Sequence, residues 1–350
     1  MKTAPISNPP NPWASSEIEY LEEAPRAPLE VYEDHSKEII AKNDSPDIGF
    51  DFSINPYRGC MHACAYCYAR PGHEYLSFRA GTDFDTKIVI KPNAPELLRS
   101  AFERPSWKGD LIMFSGVTDC YQPLEASYQL TRGCLEVCAE YRNPVAIITK
   151  APLIERDIDV LQQLTKVARV HVNLSIPFWD PDRARAVEPL VATPQRRIKT
   201  IERLTQAGIE VGVMTAPVIP GLSDEDMPKV LEAAAAAGAK TAGYVLLRLP
   251  GPVKAVFEER IRAAFPQRAD KILHRIQDTR GGALYDSRWG LRQTGEGVYA
   301  QTIAALFEKT CKRVGLNQRS RAVPVLSEIE KERISTFRRP EKPKRQLALF

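Results

Sequence analysis

No apolar stretch in the 350 residues comes near the roughly 20 needed to cross a bilayer as a helix, which excludes that kind of membrane-spanning body. A dominant charge is missing as well. Lys and Arg number 48 against 44 Asp and Glu, leaving +4, too weak an imbalance to name a polyanionic partner by composition alone. The start of the chain, Met1 to Trp13, is rich in Pro and Asn and lacks the apolar core of a secretory signal, so the expectation is a cytoplasmic protein. No repeat of solenoid period is visible. A paired disulfide framework is lacking too: the 7 cysteines are an odd number, and three of them crowd into one short stretch. In a reducing compartment that argues for thiolate ligands.

What is present is a globular balance, 43% hydrophobic and 26% charged, of a size that barrels reach as one unit with extensions. Charge is uneven along it, acidic over 17–34 and basic over 338–345, which permits nucleic-acid contact without establishing it. Residues 1–48 read as an acidic, Pro-rich arm, extended over a core or mobile. From Phe50 onward, β-rich runs at 87–90, 110–114, 145–149, 170–176, 210–215 and 241–247 alternate with helical patterns at 95–102, 125–141, 154–167, 194–207, 225–237 and 253–265. Gly208 and Gly238 fall where two of those helices should stop. Such alternation predicts a parallel sheet with right-handed crossovers, and the count suits an open, partial α/β barrel of the (β/α)6 type. The division expected is an arm at 1–48, a core barrel at 49–265, a C-terminal extension or cap at 266–336 and a basic disordered tail at 337–350.

Chemistry concentrates in Cys60-Met61-His62-Ala63-Cys64-Ala65-Tyr66-Cys67, a short loop after a strand expected at 50–54. Three thiolates so placed can each hold one iron of a 4Fe–4S cubane, leaving the fourth iron open to a substrate. A zinc site completed by His62, serving a non-enzymatic nucleic-acid-binding module, is the alternative; the loop lacks the second knuckle usual in such modules. Polar groups gather at expected strand ends, where barrels place their chemistry: Ser115, Gly116, Thr118, Lys150, Ser175 and the stretch 218–221.

The spacing Cys-x3-Cys-x2-Cys, with Tyr66 before the last cysteine, resembles the radical SAM superfamily. That resemblance implies a 4Fe–4S cluster on Cys60, Cys64 and Cys67, S-adenosylmethionine on the open iron, an external electron donor and a 5′-deoxyadenosyl radical as product. It further implies that Ser115, Gly116 and Thr118 approach the methionyl amine, that Lys150, Ser175 and Arg197 hold the carboxylate and ribose, and that 218–221 meets the adenine. For Arg197 a surface helix position, for Ser175 a strand-end cap and for 218–221 an ordinary loop remain alternatives.

Asn55-Pro56-Tyr57-Arg58-Gly59 and the run from His62 to Arg70 resemble the branch of the superfamily that contains spore photoproduct lyase. By that resemblance the substrate is DNA, in repair or modification, and Cys120 is the nearest candidate for returning a hydrogen atom, although Gly116 sits nearer the position the branch uses. Modification of a protein or a small metabolite is the competing enzyme reading. Cys134 and Cys138, four apart on a helix, and Cys311 read as buried core. The Arg-, Gly- and aromatic-bearing stretch 280–292 suits phosphates and bases, or serves to close the barrel. The last five residues, Gln346 to Phe350, resemble the peptide by which bacterial repair proteins dock on the DNA sliding clamp; folding back onto the core is the alternative.

Overall fold

Runs such as Val-Ala-Ile-Ile-Thr and Val-His-Val-Asn-Leu-Ser carry the β-branched side chains that fit a pleated, buried surface. The computed structural model, which describes residues 28–318 and 335–341, folds them into strands. In chain order the strands are β1 (Glu30–Glu33), β2 (Ile40–Lys42), β3 (Phe52–Ile54), β4 (Tyr57–Arg58), β5 (Lys87–Ile90), β6 (Ile112–Phe114), β7 (Val145–Thr149), β8 (Val170–Ser175), β9 (Val211–Val218) and β10 (Thr241–Leu246). Seven make one sheet in the order β10-β9-β8-β7-β6-β3-β2. Its neighbours are parallel from β3 to β10, with β2 antiparallel at one edge. Six parallel strands with helices between them form the open, partial (β/α)6 barrel; β2 and β10 are its edges and do not pair with each other.

Alternation along the strands divides the two faces. Val145, Ile147, Val172, Leu174, Val211 and Val213 are fully buried in the main core under the helices. Such burial is worth roughly 1.5–3 kcal/mol per side chain. Between them Ile148, Asn173 and Met214 are only half-buried, on the barrel's inner face. Thr193 caps the helix Pro194–Gln206 by accepting from Arg196 N, and the chain leaves that helix through Gly208. Gly238 plays the same part after Met227–Ala236. The helix expected over 125–141 is two, Glu125–Tyr128 and Leu130–Glu140, because Gln129 turns left-handed. Glu125 then caps the second piece, accepting from Thr131 N at 3.0 Å and Arg132 N at 3.2 Å.

Two expectations change. The run at 87–90 is a strand, yet it lies outside the barrel, paired parallel to β1 and antiparallel to β4 in a separate sheet of 3 strands. The arm is correspondingly built in where described, since β1 and β2 each join a sheet. At the far end the segment 335–341, placed by sequence largely in a disordered tail, docks on the core. Phe337 is 7% exposed and packs edge-on to Phe102, while Arg339 donates to the carbonyls of Phe102, Arg104 and Trp107, capping the helix Ala94–Glu103. The open edge of β10 is covered by Asn317, which accepts from Ala242 N at 2.9 Å and donates to Ala242 O at 3.1 Å. No helix among the described residues is long and apolar enough to cross a membrane.

Candidate active site

The cysteine loop leaves β3 at its C-terminal end and is fixed from several sides. Asn55 accepts from Gly116 N at 2.8 Å and Val117 N at 2.9 Å, tying the loop's entry to the end of β6. Gly59 is confined: a side chain there would meet His73, Ile88 and the Phe84 carbonyl, each at 3.0 Å. Its carbonyl takes hydrogen bonds from Thr118 at 2.7 Å and Gln122 at 3.1 Å, and Gln122 accepts from Met61 N. Arg70, fully buried, donates to the carbonyls of Cys64, Ala80 and Gly81 and pairs with Asp85 at 2.9 Å. A guanidinium bridging several carbonyls holds the loop as a rigid fork.

Within that frame Cys60, Cys64 and Cys67 are free thiols, the first two buried and the third half-buried. Burial pushes the Cys64 thiol well up and Cys67 to about 11, so binding a metal there displaces protons. Among the described residues no three His, Cys, Asp or Glu side chains converge on one ion. Three thiols on one short loop can each take one iron of a cubane. His62 is buried beside them. Burial favours its neutral ring, but the charges of Cys60 and Asp119, with Asp119 3.4 Å from Nδ1, hold it up to about 10.

Asp119 joins the loop to two strand ends: besides facing His62 it accepts from Thr149 Oγ1 and Lys150 N, both at 2.7 Å. Burial would raise its pKa, yet His62 and these donors hold it below the ordinary value. The residues expected to meet S-adenosylmethionine's amine are largely engaged. Ser115, with φ +78°, accepts from Cys120 N at 2.9 Å, and Thr118 is spent on Gly59. Non-glycine residues in that conformation are strained and cluster at functional sites. Gly116 is half-buried, with its carbonyl taken by the Tyr68 hydroxyl at 2.7 Å.

Lys150, Ser175 and Arg197 come together as expected, but around a residue the sequence did not point to. Glu188, 1% exposed, pairs with Arg197 at 2.6 Å and Lys150 at 3.3 Å and accepts from the Tyr66 hydroxyl. Lys150 also donates to Ser175 Oγ at 2.6 Å, and Arg197 to Ser175 O at 2.7 Å. Arg197 is therefore not a surface residue but a buried partner of Glu188. Burial acts to raise Glu188, and Arg197 and Lys150 together outweigh it, leaving a carboxylate below its usual range. The network locks the aromatic of the cysteine motif to the ends of β7 and β8.

Cys120 is fully buried in the main core, and burial pushes its thiol far up. Cys134 and Cys138 are fully buried and Cys311 nearly so. Tyr68 and Arg248 carried no signal of their own in the sequence: Tyr68, 49% exposed and next to Cys67 on the cysteine loop, donates to Gly116 O past β6, and the Arg248 guanidinium beyond β10 lies 5.4 Å from its ring centre. In 280–292, Arg280 donates to the carbonyls of Leu247, Leu291 and Arg292, the structural option for that stretch. Trp289, 56% exposed, stacks on Arg292, whose partner is Asp47 of the N-terminal segment.

The pattern of the radical SAM superfamily matches residues 54–234. An uncharacterised protein of Mycobacterium tuberculosis is 39% identical over 220 residues, which is 62% of this chain and 65% of that protein, just under two thirds of the relative's length. An uncharacterised protein of Methanocaldococcus jannaschii is 30% identical over 196 residues, 56% of this chain and 70% of that one. The radical SAM Nalpha-GlyT isomerase of Pseudomonas phage M6 is 25% identical over 209 residues, 59% of this chain and 42% of its own. Among solved structures, spore photoproduct lyase complexed with dinucleoside spore photoproduct superposes with a TM-score of 0.54 at 17% identity, over 82% of this chain and 78% of that chain. That last likeness is one of fold.

Proposed function

The chain belongs to the radical SAM superfamily, and on that ground we propose that it cleaves S-adenosylmethionine reductively and turns the radical on a nucleic acid, in repair or modification. The family uses a 4Fe–4S cluster and S-adenosylmethionine. Cys60, Cys64 and Cys67 would hold the cluster. When bound, it supplies the electron that splits S-adenosylmethionine into methionine and a 5′-deoxyadenosyl radical, and an external donor must replace that electron.

The chain's own residues give this chemistry its setting. Arg70, Gln122 and Asp119 keep the three thiols in place, with buried His62 held against Asp119. Glu188 fixes Tyr66 and Lys150, so Lys150 meets a ligand already oriented. The half-buried inner face of β7, β8 and β9 is where the nucleoside would lie, and 115–118 and 218–221 stand at the strand ends as in our reading of the sequence. Three free thiols on one loop at the C-terminal end of a parallel strand are the observation that carries the proposal.

Anaerobic reconstitution tests it: about four iron and four sulfide per chain are expected, with 5′-deoxyadenosine formed on reduction with S-adenosylmethionine. Zinc without sulfide would reverse the reading. For the substrate, undamaged and ultraviolet-treated DNA are compared as stimulants of 5′-deoxyadenosine formation. Support comes from the fold shared with a lyase solved with a dinucleoside photoproduct, and from the exposed Tyr68. No stimulation by any nucleic acid turns the assignment to a protein or small metabolite. The sliding-clamp contact of Gln346 to Phe350 lies outside the described residues; equal clamp retention after deleting those five removes it.

A further inference from the structure

Arg70 has Asp85, Arg197 has Glu188 and Arg292 has Asp47. Arg248 and Arg280 at the rim have no such partner among the described residues. Arg248 follows β10 directly, where Leu247 N still bonds to Val218 O at 2.9 Å. Its Nε is buried without a hydrogen-bond partner, and no ion pair joins it to a carboxylate among the described residues. Arg280, 3% exposed, spends its terminal nitrogens on three backbone carbonyls, and its Nε is likewise buried and unbonded. Asp286 and Glu296, the acids nearest it, are claimed by Arg288 at 2.5 and 2.9 Å. Burial, and with it the charge of Arg248, holds the Arg280 guanidinium below its ordinary value despite Asp286.

A guanidinium drawn out of water without a counter-charge is costly, and a planar fork with free donors is suited to a phosphate or carboxylate. Beside Arg248 stands the Tyr68 ring, half-exposed across the mouth and anchored at Gly116 O. An aromatic face next to a cation is the arrangement by which single strands are held, base on ring and phosphate on guanidinium. The geometry points to Arg248, backed by Arg280, as an oxyanion subsite that takes a phosphodiester of the strand whose base lies against Tyr68. This rests on the nucleic-acid reading above. The carboxylate of S-adenosylmethionine is the other source of such an oxyanion, and the experiment separates the two.

Cluster-reconstituted full-length protein is titrated with a fluorescent single-stranded deoxyoligonucleotide at several salt concentrations, and separately with S-adenosylmethionine by equilibrium dialysis. Arg248→Gln should weaken oligonucleotide binding about tenfold and reduce the salt slope by about one, while S-adenosylmethionine binding stays within about twofold; Arg248→Lys should recover part of the loss, as a point charge does. Unchanged oligonucleotide affinity and slope overturn the subsite. So does a tenfold loss confined to S-adenosylmethionine, which gives Arg248 to its carboxylate. Inorganic pyrophosphate is the third probe. Arg248-dependent pyrophosphate binding without any oligonucleotide binding by the wild type sinks the nucleic-acid reading and the phosphodiester assignment together. No Arg248-dependent pyrophosphate binding sinks the anion site itself.

Discussion

Glu188 shows how one carboxylate can organise a site that none of its motifs announces. It satisfies a fully buried arginine, a lysine and the tyrosine of the cysteine motif. Removing one partner of a buried pair costs about 3–5 kcal/mol, because the other charge stays behind; Glu188→Ala should lose that much in urea unfolding of the metal-free protein. Its acid behaviour has a sign. A carboxylate held below its ordinary 4.5 in the folded state stabilises above that pH and loses the contribution as pH falls through the lower folded value. The stability gap between wild type and Glu188→Gln should therefore narrow below about pH 4.5, and a constant gap would contradict the assignment. Cys120→Ala should cost about 1–2 kcal/mol as a small core truncation and leave 5′-deoxyadenosine formation within about twofold; a tenfold fall would give Cys120 a part in the chemistry. The cysteine triad was legible because three soft ligands at short spacing have few other uses. Glu188 was not, since it lies far downstream in a loop without pattern and acquires meaning only when β7 and β8 align beside it.

Elements were legible where periodicity decides burial and obscure where it must also decide company. The strands β6 to β10 fall on the runs read from sequence, because parallel strands under helices are apolar nearly throughout. The run Lys87–Ile90 has the same character, buried from Ile88 on, and nothing in four residues says which sheet will take it. The segment 335–341 misled for a different reason: charge and proline suggest a solvated chain, while Phe337 and the carbonyl-seeking Arg339 act as isolated anchors. A chain ending at residue 334 should lose about 3 kcal/mol or more, the cost of deleting a buried phenylalanine, and one ending at 341 should keep wild-type stability. Equal thermal midpoints for the two would mean the docking contributes nothing.

At the scale of the molecule, contacts between distant parts of the chain hold the rim. Asp47 from the N-terminal segment grips Arg292 and Gly290 of the C-terminal extension, and Asn317 seals the edge of β10. None of these pairings has a local signature, because each joins residues that only the finished barrel brings near. The same architecture keeps its first and last strands apart, β2 at one margin and β10 at the other. A closed ring would have to be threaded from a free end, whereas a trough is filled from the side. On the proposed nucleic-acid reading, a covalently closed circular single strand should thus bind as tightly as a linear one of equal length in a competition assay; a clear preference for linear strands would contradict entry from the side.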